Sequence, residues 1–309
     1  MATLLILSGV SIFVGVGDMT FSGLWLNPSE MQLLLISRGP RTFAALLSGA
    51  SIAVSGVIMQ LLVRNKFVEP GTTGTTESAM LGLLLVTVFA PQWPIFAKMA
   101  VAALTALLGV LGFVFLVRKL PPQRPLMIPI VGLIYGGILG AGATFIAYQA
   151  DLIQYIGVWM SGEFSGVLAG RYELLWLAGG LTLLAYFSAD QFTVAGLGRD
   201  TSRALGLRYG YVLALGVSTV ALVSALVVVT VGMLPFVGLV VPNIVSRIMG
   251  DNLRQSLPVV AGLGAGCVLL SDIIGRVARF PYEIPAGTVF GILGAAVFLW
   301  LLLGRRSHV

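Results

Sequence analysis

Apolar runs of about twenty residues recur from one end of this chain to the other, with only short polar interruptions between them. A helix needs about 20 mostly apolar residues to cross the hydrocarbon core of a bilayer, and a helix satisfies its own backbone N–H and C=O groups there. Ten segments qualify: 2–17, 42–62, 76–93, 97–116, 127–149, 173–189, 210–231, 235–250, 256–274 and 286–303. With 58% hydrophobic and 10% charged residues, against about 25% charged in a soluble domain, the chain cannot cover its own surface with polar groups. The expectation is an all-α polytopic membrane protein, one transmembrane domain over residues 1–309. The first run lacks a basic n-region and a small-residue cleavage site, so it reads as a retained helix.

Basic residues in short loops set the orientation. With both termini cytoplasmic, Arg64, Lys66, Arg118, Lys119, Arg124, Arg199, Arg203, Arg208, Arg247, Arg254, Arg305 and Arg306 lie inside, and Arg38, Arg41, Lys98, Arg171, Arg276 and Arg279 lie outside. That 12-to-6 split favours this topology and makes the outer arginines informative. The basic residues are scattered singly at the ends of apolar runs, so the net charge of +6 does not point to nucleic acid.

Between the sixth and seventh segments, residues 196–210 carry three arginines, one aspartate and four glycines. This stretch must sit in water, and it can form structure there. Asp200 can cap a short helix over 201–205, and Gly206 can stop it in the left-handed conformation. A short capped helix on the cytoplasmic face suits docking of a soluble partner, although an ordinary solvated loop has the same composition.

Three further stretches depart from plain spanning helices. The fifth segment carries Gly132, Gly136, Gly137, Gly140 and Gly142 with Thr144, small residues that permit close helix packing or leave room for a cavity. After it, residues 151–170 are too polar to span; Asp151 could cap a short outer re-entrant helix reaching Trp159, followed by the glycine- and serine-rich run from Ser161 and Gly162 to Gly166. Residues 65–79 and the Pro242-broken eighth segment are polar or interrupted near membrane depth. Such backbone is expected to be buried in protein or to line a cavity.

Chemistry is sparse. None of the three lysines follows a glycine, so the chain has no phosphate-binding P-loop, and any ATPase must be another chain. One histidine (His308) and one cysteine (Cys267) leave no basis for a catalytic triad, a disulfide framework or a His/Cys metal site. Asp272 is the main acid expected within the membrane, and the first seven segments offer almost none, which weighs against an ion-coupled carrier.

Several motifs occur in order: Arg38, Gly39, Pro40, Arg41; Ser55, Gly56 with Gln60; Arg64, Asn65 through Glu69, Pro70; Trp159 with Ser161, Gly162; Ala204, Leu205, Gly206; Phe236 through Pro242; and Glu283, Ile284, Pro285 with Gly287. In these the chain resembles the permease subunits of bacterial iron-siderophore, haem and cobalamin ABC importers, the FecCD group, from about residue 30 to the C-terminus. The resemblance implies ten helices, pairing with a second permease subunit, identical or related, around a central pathway. It also implies two ABC ATPase subunits below, which hold the ATP and Mg, and a substrate-binding protein outside; no cofactor, metal or catalytic residue is expected on this chain.

The resemblance also assigns roles to residues. Arg199, Asp200, Arg203, Ala204, Leu205 and Gly206 match the loop that couples to the ATPase, and Arg38, Arg41 and Arg276 match arginines that pair with glutamates of the binding protein. Gly136, Gly140, Thr144, Trp159, Ser161 and Gly162 fall on elements that line the pathway and its gates, as does the tenth segment. Gly39, Lys66, Asn243 and Ala296 replace the family's usual leucine, proline, histidine and proline. The threonine-rich 65–79 stretch looks most like the siderophore branch, with cobalamin or haem as the alternative cargo. A secondary transporter or an integral membrane enzyme is the rival class.

Overall fold

The computed structural model describes residues 2–15, 27–117, 119–120, 127–250 and 252–303. Arg118, Arg124, Arg305, Arg306, His308 and the end of the first apolar run at 16–17 lie outside these residues. Among the described residues the chain is helical, with one isolated bridge between Arg279 and Tyr282 and no strand.

The helices are α1 (Ala2–Phe13), α2 (Pro28–Val63), α3 (Thr75–Phe89), α4 (Ile95–Val117), α5 (Met127–Gln149), α6 (Ile153–Ser161), α7 (Leu174–Phe187), α8 (Ala189–Gly196), α9 (Arg199–Ala204), α10 (Tyr209–Val231), α11 (Val237–Met249), α12 (Leu253–Val277) and α13 (Ala286–Leu303). A 3₁₀ turn, Pro70–Thr73, stands between α2 and α3. Each of the ten apolar segments coincides with one helix. Six of these, α2, α4, α5, α10, α12 and α13, are long and apolar enough to cross a membrane; α1, α3, α7 and α11 are shorter apolar helices.

The largest boundary difference is in α2, which begins at Pro28 and not at residue 42. Arg38 and Arg41 interrupt the apolar pattern, but the helix runs through them because their charges are met inside the protein. A π-turn at Leu34–Arg38 widens the helix just before Arg41. The axis of the bundle is α2, 72% of whose apolar window is buried, whereas only 22% of that of α5 is. It packs on α12, α11, α10 and α7, and it meets α11 at glycine: a Cβ on Gly56 would lie 2.0 Å from the Gly238 carbonyl oxygen, so only glycine permits that approach.

Candidate functional site

Four groups of residues carry the polar chemistry of the bundle. The first joins α1, α2, α12 and the turn before α13. Asp272 is one helical turn before Arg276, and its Oδ2 lies 2.8 Å from Nη2 of that arginine. The same carboxylate receives Arg41, with Nη2 at 2.7 Å and Nε at 3.1 Å from Oδ1. Arg41 extends Nη1 to Glu283, 2.9 Å from Oε2. Arg276 Nη1 also donates to the carbonyls of Ser11 and Val14, at 2.8 and 2.7 Å, and Arg38 donates to Val14 as well. The predicted outer arginines Arg38, Arg41 and Arg276 are therefore side by side but largely buried. The side chains of Arg41, Arg276 and Asp272 are 12%, 2% and 2% exposed, and Glu283 reaches 25%.

The second group is α9. It starts at Arg199, ahead of the 201–205 span that an Asp200 cap would dictate: Gly198, at φ +102°, precedes the helix and Asp200 lies in its first turn. The cap role belongs to no side chain here. Ser202, buried, donates its hydroxyl to the carbonyls of Val194 and Gly198, tying α9 to α8. At the other end Gly206, at φ +80°, closes the helix as the sequence predicts, with Gly206 N donating to Arg203 O and Leu207 N to Ser202 O, both at 2.9 Å. Arg199, Asp200, Arg203, Ala204 and Gly206 are exposed around this closure, and Leu205 presents 64% of its surface to solvent.

The third group is the junction of α5, α6 and α13. Gly136 and Gly140 of α5 face Glu77 of α3, and the Thr144 hydroxyl bonds back to the Gly140 carbonyl at 2.8 Å on the exposed side. Asp151 does not cap α6. It stands at φ +55° and ends α5, with Leu152 N on the Ala147 carbonyl at 2.8 Å, the same device that Gly206 provides for α9. Helix α6 holds Trp159 and ends at Ser161, whose hydroxyl donates to Val158 O at 2.7 Å. Gly162, at φ +65°, then accepts a hydrogen bond from Gly287 N at 2.9 Å, joining α6 to the start of α13. A Cβ on Gly162 would sit 2.3 Å from the Met233 carbonyl oxygen, so three segments meet here through bare backbone.

The fourth group is the polar stretch after α2, which is buried as expected. Asn65, Glu69, Thr73, Thr75, Thr76 and Ser78 are all at most 5% exposed. Glu69 caps two helices. It forms a capping box with Thr72 on the 3₁₀ turn, and its Oε1 accepts the Phe236 N–H at 3.1 Å, at the start of α11. In α11, Pro242 frees the carbonyl of Gly238, and Gln60 Nε2 donates to it at 3.3 Å. Asn243, in the family's histidine position, donates to the carbonyls of Lys66 and Leu239 at 2.8 and 2.7 Å, a holding contact with no ionisable group.

Sequence reasoning names Glu69 only as part of a motif, without its capping role, and does not single out Glu77 in the third segment. Both sit in a threonine-rich stretch that hides them among polar neighbours. Asp272 is visible in the sequence, but its partners are not.

A bundle of apolar helices with helix breaks lined by buried polar groups, and an exposed short helix at one end, is the architecture of a polytopic membrane protein. Residues 3–304 match the FecCD transport family, and the chain belongs to it. It is 45% identical over 307 residues to the petrobactin import system permease protein YclN of Bacillus subtilis, covering 99% of this chain and 97% of that one. With the ferric-anguibactin transport system permease protein FatD of Vibrio anguillarum it shares 39% over 303 residues, 97% of this chain and 96% of the other. A metal-chelate type ABC transporter solved in an inward-facing conformation has the same fold, with a TM-score of 0.81, 24% identity, and 98% and 97% coverage.

Proposed function

We propose that this chain is the permease subunit of an ATP-driven importer that moves a ferric siderophore across the bacterial cell membrane. The observation that carries this reading is the full-length similarity to permeases named for petrobactin and ferric anguibactin, both closer than the fold likeness alone requires. The ten apolar helices cross the membrane as one domain, with both termini in the cytoplasm. A second permease subunit completes the pathway along α5, α6 and α13, whose outward faces are apolar in this chain. A substrate-binding protein delivers the chelate at the Arg38, Arg41 and Arg276 cluster, and two ATPase subunits, which carry the ATP and Mg, engage α9. No cofactor acts on this chain.

The exposure of Arg199, Arg203 and Leu205 around a helix anchored by Ser202 supports the docking role: the knob is fixed at its base and bare at its tip. Charge reversal at its tip tests it. Arg203→Glu is expected to leave the permease at its normal level in the membrane and to lower ATP-driven uptake by about tenfold or more, as loss of a desolvated charged contact does. Undiminished uptake by that variant would remove α9 from the coupling path.

A further inference from the structure

Within the charge cluster the two acids are not equivalent. Asp272 is buried and shared between Arg41 and Arg276. Glu283 is a quarter exposed, stands on the short turn between α12 and α13, and is ion-paired with Nη1 of Arg41, the nitrogen that Asp272 leaves open. Its Oε1 accepts from Nη1 at 3.1 Å, while its Oε2, 2.9 Å from the same nitrogen, makes no directed hydrogen bond. Glu283 thus holds one nitrogen of Arg41 where Asp272 holds two, Nε and Nη2.

We infer that Glu283 is an internal stand-in for a carboxylate of the substrate-binding protein, and that docking proceeds by carboxylate exchange at Nη1 of Arg41. This rests on the docking role proposed above for Arg41. Asp272 is shared between Arg41 and Arg276, so without a second carboxylate at Nη1 two buried guanidinium groups would rest on one anion between docking events. Exchange avoids this: one carboxylate leaves Nη1 as another arrives, Asp272 stays in place, and Arg41 remains compensated throughout. Because one charge-assisted pair replaces another of the same kind, docking gains little net affinity from it, which suits a partner that must leave every cycle.

The turn that carries Glu283 is fixed on both sides. Ile284 N donates to Gly275 O of α12 at 3.0 Å, and Gly287 N donates to Gly162 O at the end of α6 at 2.9 Å. The displaced side chain therefore belongs to the connection that joins α12 to the α6–α13 junction, and the exchange takes place beside that junction.

The test is binding of the fluorescently labelled substrate-binding protein to the permease–ATPase complex in nanodiscs. Wild type is compared with Glu283→Gln, Arg41→Gln and the double variant. Glutamine keeps the size of the stand-in and removes its charge, so Glu283→Gln is expected to bind about tenfold more tightly, through slower release. That gain is expected to vanish in the Arg41→Gln background, which mere loosening of the turn would not produce. Unchanged or weaker binding in Glu283→Gln, with Arg41→Gln still weakening it, overturns the exchange and leaves the docking role intact. No effect of any variant overturns the docking role itself. Should Glu283→Gln fail to assemble, Glu283→Asp, whose shorter stem loosens its hold on Arg41, must tighten binding, and its failure to do so counts equally against the exchange.

Discussion

At Asp272 one carboxylate compensates two guanidinium groups that arrive from different parts of the chain, Arg276 from one turn away and Arg41 from 231 residues away. Burial makes that carboxylate indispensable, since its removal leaves two cations facing each other with only Glu283 for balance. Asp272→Asn is therefore expected to destabilise the permease by about 3–5 kcal/mol, the cost of breaking a buried ion pair on one side. A lowered thermal unfolding midpoint in nanodiscs checks it, and an unchanged midpoint would mean the cluster is not a structural unit. The arginines are conspicuous in the sequence because the topology it favours puts them on the side where positive charge is disfavoured. That they share an acid is not legible there, because nothing local links residue 41 to residue 272. The contact Glu69 makes is hidden for a similar reason: its Phe236 partner is 167 residues distant.

Among the elements, helix ends are the least legible feature and helix positions the most. Asp151 and Asp200 look like N-caps by residue type, yet Asp151 takes the left-handed position that ends α5, and Asp200 enters the first turn of α9 behind Gly198. Aspartate tolerates both settings, so its identity alone does not choose between them. Arg64 also ends α2 in the left-handed conformation, which no propensity would suggest for arginine. The interrupted helix α11 is better behaved: a proline frees one carbonyl, and a neighbour is expected to satisfy it. That neighbour is Gln60, 178 residues away from Gly238. Gln60→Ala is expected to cost about 1–3 kcal/mol, because the Gly238 carbonyl is then buried without a partner. Pro242→Ala in the same chain is expected to recover much of that loss, since alanine at this position restores the N–H that the helix lacks. Denaturant melts of the four combinations in detergent measure it, and absence of rescue would show that Gln60 acts through packing alone.

At the scale of the whole molecule, the periodic recurrence of apolar runs is sufficient to place every long helix, because in hydrocarbon a chain has few alternatives to satisfying its own backbone. Pathway and partners are less legible, since they depend on surfaces that this chain leaves incomplete. The outward faces of α5 and α13 carry Leu133, Ile138, Phe145, Ile292 and Trp300 as exposed side chains, and the buried side of α5 packs Gly136 and Gly140 on Glu77 of α3 and Gly132 on the 3₁₀ turn at Thr72. In the proposed importer such a surface would give a bulky chelate a route with little fixed charge and would leave recognition to the binding protein. Under the function proposed above the driving force is external: ATP is hydrolysed in the partner, and α9 is the proposed route by which its effect reaches the helices.

Uptake into proteoliposomes holding this chain, a second permease subunit and the ATPase tests that account most directly. Binding protein loaded in turn with a ferric siderophore, haem or cobalamin is supplied outside and ATP inside. The account predicts ATP-dependent accumulation of the ferric siderophore and none without ATP. Accumulation driven by an ion gradient in vesicles that contain this chain alone would contradict it.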